Sequence, residues 1–223
     1  MKFDSDPSIY AGTTTPTLGE WKRLWSVWDL VTRGMIPDEE LLSKPIKLRN
    51  ACIFYFGHIP TFLDMKLNQV TKEPLCEPSY YSRIFERGID PDVDNPEKCH
   101  AHSEIPPSWP PLEEILTYQE NIREKVRRFY DGHDIPRKIG RTLWLGFEHE
   151  IMHLETLLYM LLQSDKTLPP TTIIPDFQKQ AREAQAARVQ NEWFEVPEQK
   201  VTIGLEDPED DSGPDNHFGW YVE

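Results

Sequence analysis

The sequence is poor in the features that mark several protein classes. It has three cysteines in 223 residues, Cys52, Cys76 and Cys99, with no CxxC pair. An odd number without a paired motif argues against a disulfide framework and fits a reducing, cytoplasmic compartment. No apolar run approaches the roughly 18–20 residues of a membrane span. The N-terminus, Met1-Lys2-Phe3-Asp4-Ser5-Asp6, lacks the apolar core of a signal peptide. Basic residues are scarce as well: 24 Lys and Arg face 38 Asp and Glu, a net charge of −14. Sequence-independent binding to nucleic acid or to an anionic membrane needs a basic surface, so neither partner is expected.

Hydrophobic residues make up 38% of the chain, enough for one sizeable core. Apolar residues recur at helical spacing in several stretches. Trp21, Leu24, Trp25, Trp28 and Val31 predict a helix over 18–32, and this tryptophan stripe reads as core rather than as a cofactor box. A second helix is expected from about 45, carrying Cys52, Tyr55, His58 and Phe62 on one face, with a kink or a new segment at Pro60. Residues 71–110 are rich in proline and read as a long irregular connection. Third and fourth helices are expected over 111–130, ended by Gly132, and over 136–163. The fourth is apolar nearly all round, which predicts a central position. A polar connector helix follows over 177–191. From Trp193 the pattern alternates as in strands and then becomes acidic. About 30 residues cannot form a β core alone, so a disordered or loosely docked stub is expected there. The boundaries read as a leader or linker at 1–16, a helical bundle with a metal site at 17–165, a linker helix at 166–192 and the β-rich stub at 193–223.

The most specific chemical signal is His149-Glu150-Ile151-Met152-His153. Histidines four apart on a helix point about 40° apart, one turn from each other. Two neutral imidazoles side by side on an inner face are costly unless their polar nitrogens are satisfied. They are either hydrogen-bonded core histidines or ligands of one ion. His58, inward on a facing helix, favours the second reading, because bundle sites form from side chains on facing helices. Imidazole alone does not choose among zinc, iron, copper and nickel. The segment also matches the HExxH pattern of zinc hydrolases, with Glu150 as general base. That reading lacks the glycine of the extended motif, since Thr156 stands there, and lacks a further carboxylate on an inward helix: Glu183 lies in the polar connector. Glu148 and Glu155 lie well away from the histidine face. Cys99-His100-Ala101-His102 reads as a surface loop, His133 as a helix-end residue, and His217 has no assignable role.

Three segments resemble the DinB-like domain of the non-haem iron sulfoxide synthases of ergothioneine biosynthesis, the EgtB-like family, and are most similar to its fungal type. They are 48–62 (LRNACIFYFGHIPTF), 85–96 (FERGIDPDVDNP) and 146–156 (GFEHEIMHLET). The tail 204–220 resembles the start of a formylglycine-generating-enzyme-like (sulfatase-modifying-factor) domain. The resemblance implies an all-α fold, a DinB-like up-down four-helix bundle with a short incomplete β-rich C-terminal stub. It implies that His58, His149 and His153 hold iron(II), Fe(2+). It further implies small-molecule substrates: hercynine (trimethylhistidine), a cysteine-type thiol and O2, joined by an oxidoreductase that forms a C–S bond. Bacterial relatives commonly carry a substrate-contacting glutamine before the last histidine, where Met152 stands here. The family's second domain supplies a tyrosine and most hercynine contacts, so the region up to Glu223 is expected to be incomplete as a catalyst. A non-catalytic metal-binding or structural module is the alternative. Arg83 and Arg87 are candidate carboxylate contacts from the 71–110 loop, against the plainer reading of solvated arginines.

Overall fold

Helix α1, Leu18–Gly34, starts at a reciprocal cap. Thr17 Oγ1 accepts from the Glu20 N–H at 3.2 Å, and the Glu20 carboxylate accepts from the Thr17 N–H at 2.7 Å. Its tryptophan stripe is buried, as the spacing predicts. In this computed structural model the described residues are 15–86, 89–91, 99–101, 104–132, 134–170 and 176–195, with 197, 198, 200, 207, 208, 212 and 218 beyond them. A short 3-10 turn at Asp38–Glu40 follows Pro37.

Helix α2, Cys52–Thr71, departs from the expected start. It begins at Cys52 rather than near Pro45, because the preceding segment folds back. The Cys52 N–H donates to Ser43 O at 3.0 Å and the Ile53 N–H to Leu41 O at 2.7 Å. It continues past Pro60 as one helix, so no new segment opens there. An interior proline costs about 3 kcal/mol, but every residue from Cys52 to Thr61 is buried, and that packing outweighs the local cost.

After the short helix α3, Tyr81–Ile84, the proline-rich stretch holds an antiparallel ladder that the sequence reading did not anticipate. Strand β1, Ile89–Pro91, pairs with β2, Cys99–Ala101, in the register Ile89↔Ala101, Asp90↔His100 and Pro91↔Cys99. Helices α4, Leu112–Arg128, and α5, Arg137–Leu161, complete the four long helices. Gly132 follows α4 with φ +81°, a conformation that favours glycine. Helix α6, Phe177–Ala186, buries no residue, as expected of a solvated connector.

The protein is all-α in architecture, but its centre is α2 rather than α5. Helix α2 packs on α5, α4 and α3, whereas α5 packs on α2 and α1 and leaves Met152, Leu158, Tyr159 and Leu162 exposed. An apolar composition does not distinguish a helix covered on two sides from one covered all round. Between α2 and α4 lies a buried ion pair. Asp64 accepts from Lys125 Nζ at 3.1 Å, from the Cys76 N–H at 2.8 Å and from Tyr118 Oη at 3.4 Å. Between α1 and α4, Arg123 clasps Asp29 through two bonds of 2.7 and 3.0 Å.

Beyond α6, Trp193 to Glu195 are exposed and form no element, and most of the expected β-rich stub lies outside the described residues. Two described residues there contradict loose docking. Asp207 is clasped by Arg137 and by Arg141, the latter at 2.6 Å, and Phe218, 2% exposed, packs 5.9 Å from the Trp144 ring. Among the described residues no helix is long and apolar enough to cross a membrane.

Candidate metal centre

Two glycines allow close packing at and beside the seam between α2 and α5. A Cβ on Gly146 would lie 2.5 Å from Leu63 Cδ1, and a Cβ on Gly57 would lie 2.5 Å from Phe85 Cε1. The first contact closes the α2–α5 seam. The second seats the Phe85 ring against α2 beside His58.

At this seam His58, from α2, meets His149 and His153, from α5. One ring nitrogen from each falls in a group lying within 4.8 Å of one another. The ring centroids are 4.9 Å apart for His58 and His149, 4.8 Å for His58 and His153, and 4.5 Å for His149 and His153. The three residues singled out by helical spacing are thus brought together. His58 and His149 are buried and His153 is half-buried, so the cluster opens on the His153 side.

The surroundings hold the rings in place. His58 Nδ1 lies 2.7 Å from the Phe85 carbonyl, which sets Nδ1 as the protonated nitrogen and leaves Nε2 to face the cluster. Phe54 stacks on His58 at 4.9 Å, and Phe62 stacks on His149 at 3.8 Å with 17° between planes. The His153 ring rests 5.6 Å from Tyr55, and its Nδ1 is buried with no hydrogen-bond partner. A buried nitrogen of this kind costs free energy unless a ligand or a coordinated ion relieves it.

All three rings are neutral at neutral pH. Burial pulls the His58 pKa down to about 4, only partly offset by the Phe85 carbonyl. Burial, then the neighbouring His153 and His58, pull His149 well below its usual value. Burial, then His58 and Arg49, pull His153 down to about 3. Neutral imidazole is the metal-binding form, so an ion would displace no proton from these groups at neutral pH.

The other sequence candidates fall elsewhere. Glu150 is buried where α1, α2, α4 and α5 meet, lining a water-sized cavity of about 10 Å3 with Trp25, Leu63, Gln119 and Arg123. On α5 it points about 60° from His153 and about 100° from His149, and it is not part of the three-histidine group. Met152 is 44% exposed, facing outward. Arg83 is exposed at the end of α3, and Arg87, His102, His133 and His217 lie outside the described residues. The Cys99–Ala101 backbone is extended within β2. The sequence reading missed the Phe85 carbonyl, the stacking roles of Phe54 and Phe62, and Arg49. A guanidinium at the start of α2, three residues before its first buried position, was the available signal for the last.

Glu150 carries a pH dependence. Burial pushes its pKa up to about 8 from 4.5, partly opposed by Arg123 and reinforced by Asp29. The folded chain keeps this proton while the unfolded chain loses it, so stability falls as pH rises from about 4.5 to about 8. Glu150→Gln is expected to remove that slope. Urea unfolding at about pH 5 and about pH 8 should show the variant gaining on the parent, by on the order of 1–4 kcal/mol at the higher pH. An advantage that does not change between the two pH values would contradict this.

No family model matches the chain. It is 62% identical over 99% of its length to the ergothioneine biosynthesis protein 1 of Neurospora crassa, of which it covers 26%. It is 34% identical over 85% of its length to the protein of the same name from Schizosaccharomyces pombe, of which it covers 25%. The chain therefore spans about a quarter of the length of these relatives. With 62% identity carried along nearly all of its residues, the chain is similar to about a quarter of a fungal ergothioneine biosynthesis protein.

Proposed function

We propose that this chain is the iron(II)-binding, DinB-like helical part of an O2-dependent sulfoxide synthase of ergothioneine biosynthesis, acting on hercynine and a cysteine-type thiol. The observation that supports it most is the convergence of His58, His149 and His153 at the α2–α5 seam, with one ring nitrogen already engaged by the Phe85 carbonyl. The name of the relatives, ergothioneine biosynthesis protein 1, supports the pathway.

The residues fit an ion. Three neutral imidazoles, one orphaned buried nitrogen and a half-buried side for entry form a set in which no carboxylate takes part. Iron(II) held by His58, His149 and His153 would supply coordination positions shared by thiol, imidazole and O2. The chain's own groups prepare that site. Phe85 fixes the His58 tautomer, Phe54 and Phe62 stack on the rings, Gly146 allows the close approach of α5 to α2, and Gly57 makes room for the Phe85 ring. The zinc-hydrolase alternative is less favoured, because Glu150 lines a small cavity with Trp25, Gln119 and Arg123 and is not part of the three-histidine group.

The test is product formation from hercynine, cysteine and O2 by the iron-loaded full-length protein that carries this region, followed by mass spectrometry. His153→Ala in that protein is expected to abolish the sulfoxide product. Product formed at the parent rate would overturn the proposal.

A further inference from the structure

Helices α2 and α5 face each other in antiparallel layers. Leu63 meets Gly146, His58 meets His149, and Tyr55 rests on His153. One layer further on, Arg49 reaches Tyr159. Arg49 thus sits at the end of the seam toward which the cluster opens, past the half-buried His153 and the exposed Met152.

Its guanidinium is held in place. Nε donates to Tyr159 Oη at 3.0 Å, and Cζ lies 5.8 Å from the centre of the same ring. Its charge reaches both His153 and the Tyr55 hydroxyl. What Arg49 lacks among the described residues is a carboxylate. Every other buried or half-buried arginine among the described residues has one: Arg123 has Asp29, Arg127 has Glu120 and Glu124, and Arg137 and Arg141 share Asp207. In a chain with 38 acidic and 24 basic residues, an arginine pinned by a neutral tyrosine alone is an exception that needs a cause. The histidine group contains no carboxylate either, so an ion bound there would keep its full charge. Both features favour an anion arriving from outside.

We propose that Arg49 binds the α-carboxylate of an amino-acid substrate whose thiol or imidazole end reaches the metal ion. The planar fork of a guanidinium matches a carboxylate in two parallel bonds, and a tyrosine partner orients that fork without neutralising it. This inference rests on the three-histidine metal reading above.

Two probe pairs that differ only in the carboxylate test it: L-cysteine against cysteamine, and L-histidine against histamine. Each is titrated into the Co(II)-loaded protein, with visible absorption reporting changes at the ion. In at least one pair the acid is expected to bind roughly ten- to hundredfold tighter than its decarboxylated partner. Arg49→Met is expected to erase that ratio while Co(II) stoichiometry and the affinity of the decarboxylated probe stay unchanged, and Arg49→Lys is expected to restore part of it. Loss of the ratio in the thiol pair alone, or in the imidazole pair alone, supports the proposal and identifies which substrate Arg49 holds. A ratio unchanged by Arg49→Met in both pairs overturns it and leaves the metal centre standing. Failure of the parent to retain Co(II) removes the metal reading and this inference together.

Discussion

Lys125→Met is expected to lower the free energy of unfolding by about 3–5 kcal/mol, the range for breaking one side of a buried ion pair. Asp64 is fully buried, and Lys125 is its only cationic partner among the described residues. Removing the ammonium leaves the carboxylate with the Cys76 N–H and Tyr118 Oη alone. The double variant Asp64→Asn with Lys125→Met is expected to recover more than half of the loss. The neutral amide can still accept from Cys76, and no unpaired charge is left in the α2–α4 seam. Urea denaturation of the parent, both single variants and the double variant gives the coupling energy. Strictly additive losses would show that the two groups do not act as a pair.

Gly57→Ala is expected to act on the metal centre through a contact that is not itself part of it. The added methyl meets the Phe85 ring, which packs directly against the Gly57 position. Overpacking of this kind costs about 1–3 kcal/mol of stability. Moving the ring also moves the backbone carbonyl that holds His58 Nδ1. Loss of such an outer partner lowers metal affinity by roughly 10- to 100-fold. A Phe85→Ala partner substitution makes room for the methyl and is expected to restore stability less than it restores affinity, because it opens a cavity while leaving the carbonyl in place. The check is Co(II) or Fe(II) affinity measured beside thermal unfolding for the single and double variants. Unchanged affinity in a destabilised Gly57→Ala would separate the glycine from the metal centre.

These two sites show what could be read before the structure. His149 and His153 were legible because both lie on one helix, where spacing alone fixes their relative direction. His58 was legible because its own helix has an apolar stripe that includes it. The partners that make these residues a site were not legible. The Phe85 carbonyl is a backbone group 27 positions from His58, and Lys125 is 61 positions from Asp64. Nothing in local spacing pairs residues at such separations. The assignment of α5 as the centre failed because apolar residues at Met152, Leu158 and Leu162 sit on an exposed face. The family resemblance placed the same three histidines, but it did not show which groups orient them.

The central claim is that His58, His149 and His153 together hold one metal ion. The most direct measurement is metal content by mass spectrometry after anaerobic loading with Fe(II) and desalting, on the parent and on His58→Ala, His149→Ala and His153→Ala, with circular dichroism confirming that each variant keeps its helices. The account predicts about one iron per parent chain, from one three-histidine site, and a loss of most bound iron in each of the three folded variants. Equal iron retention in the parent and in all three variants would contradict it.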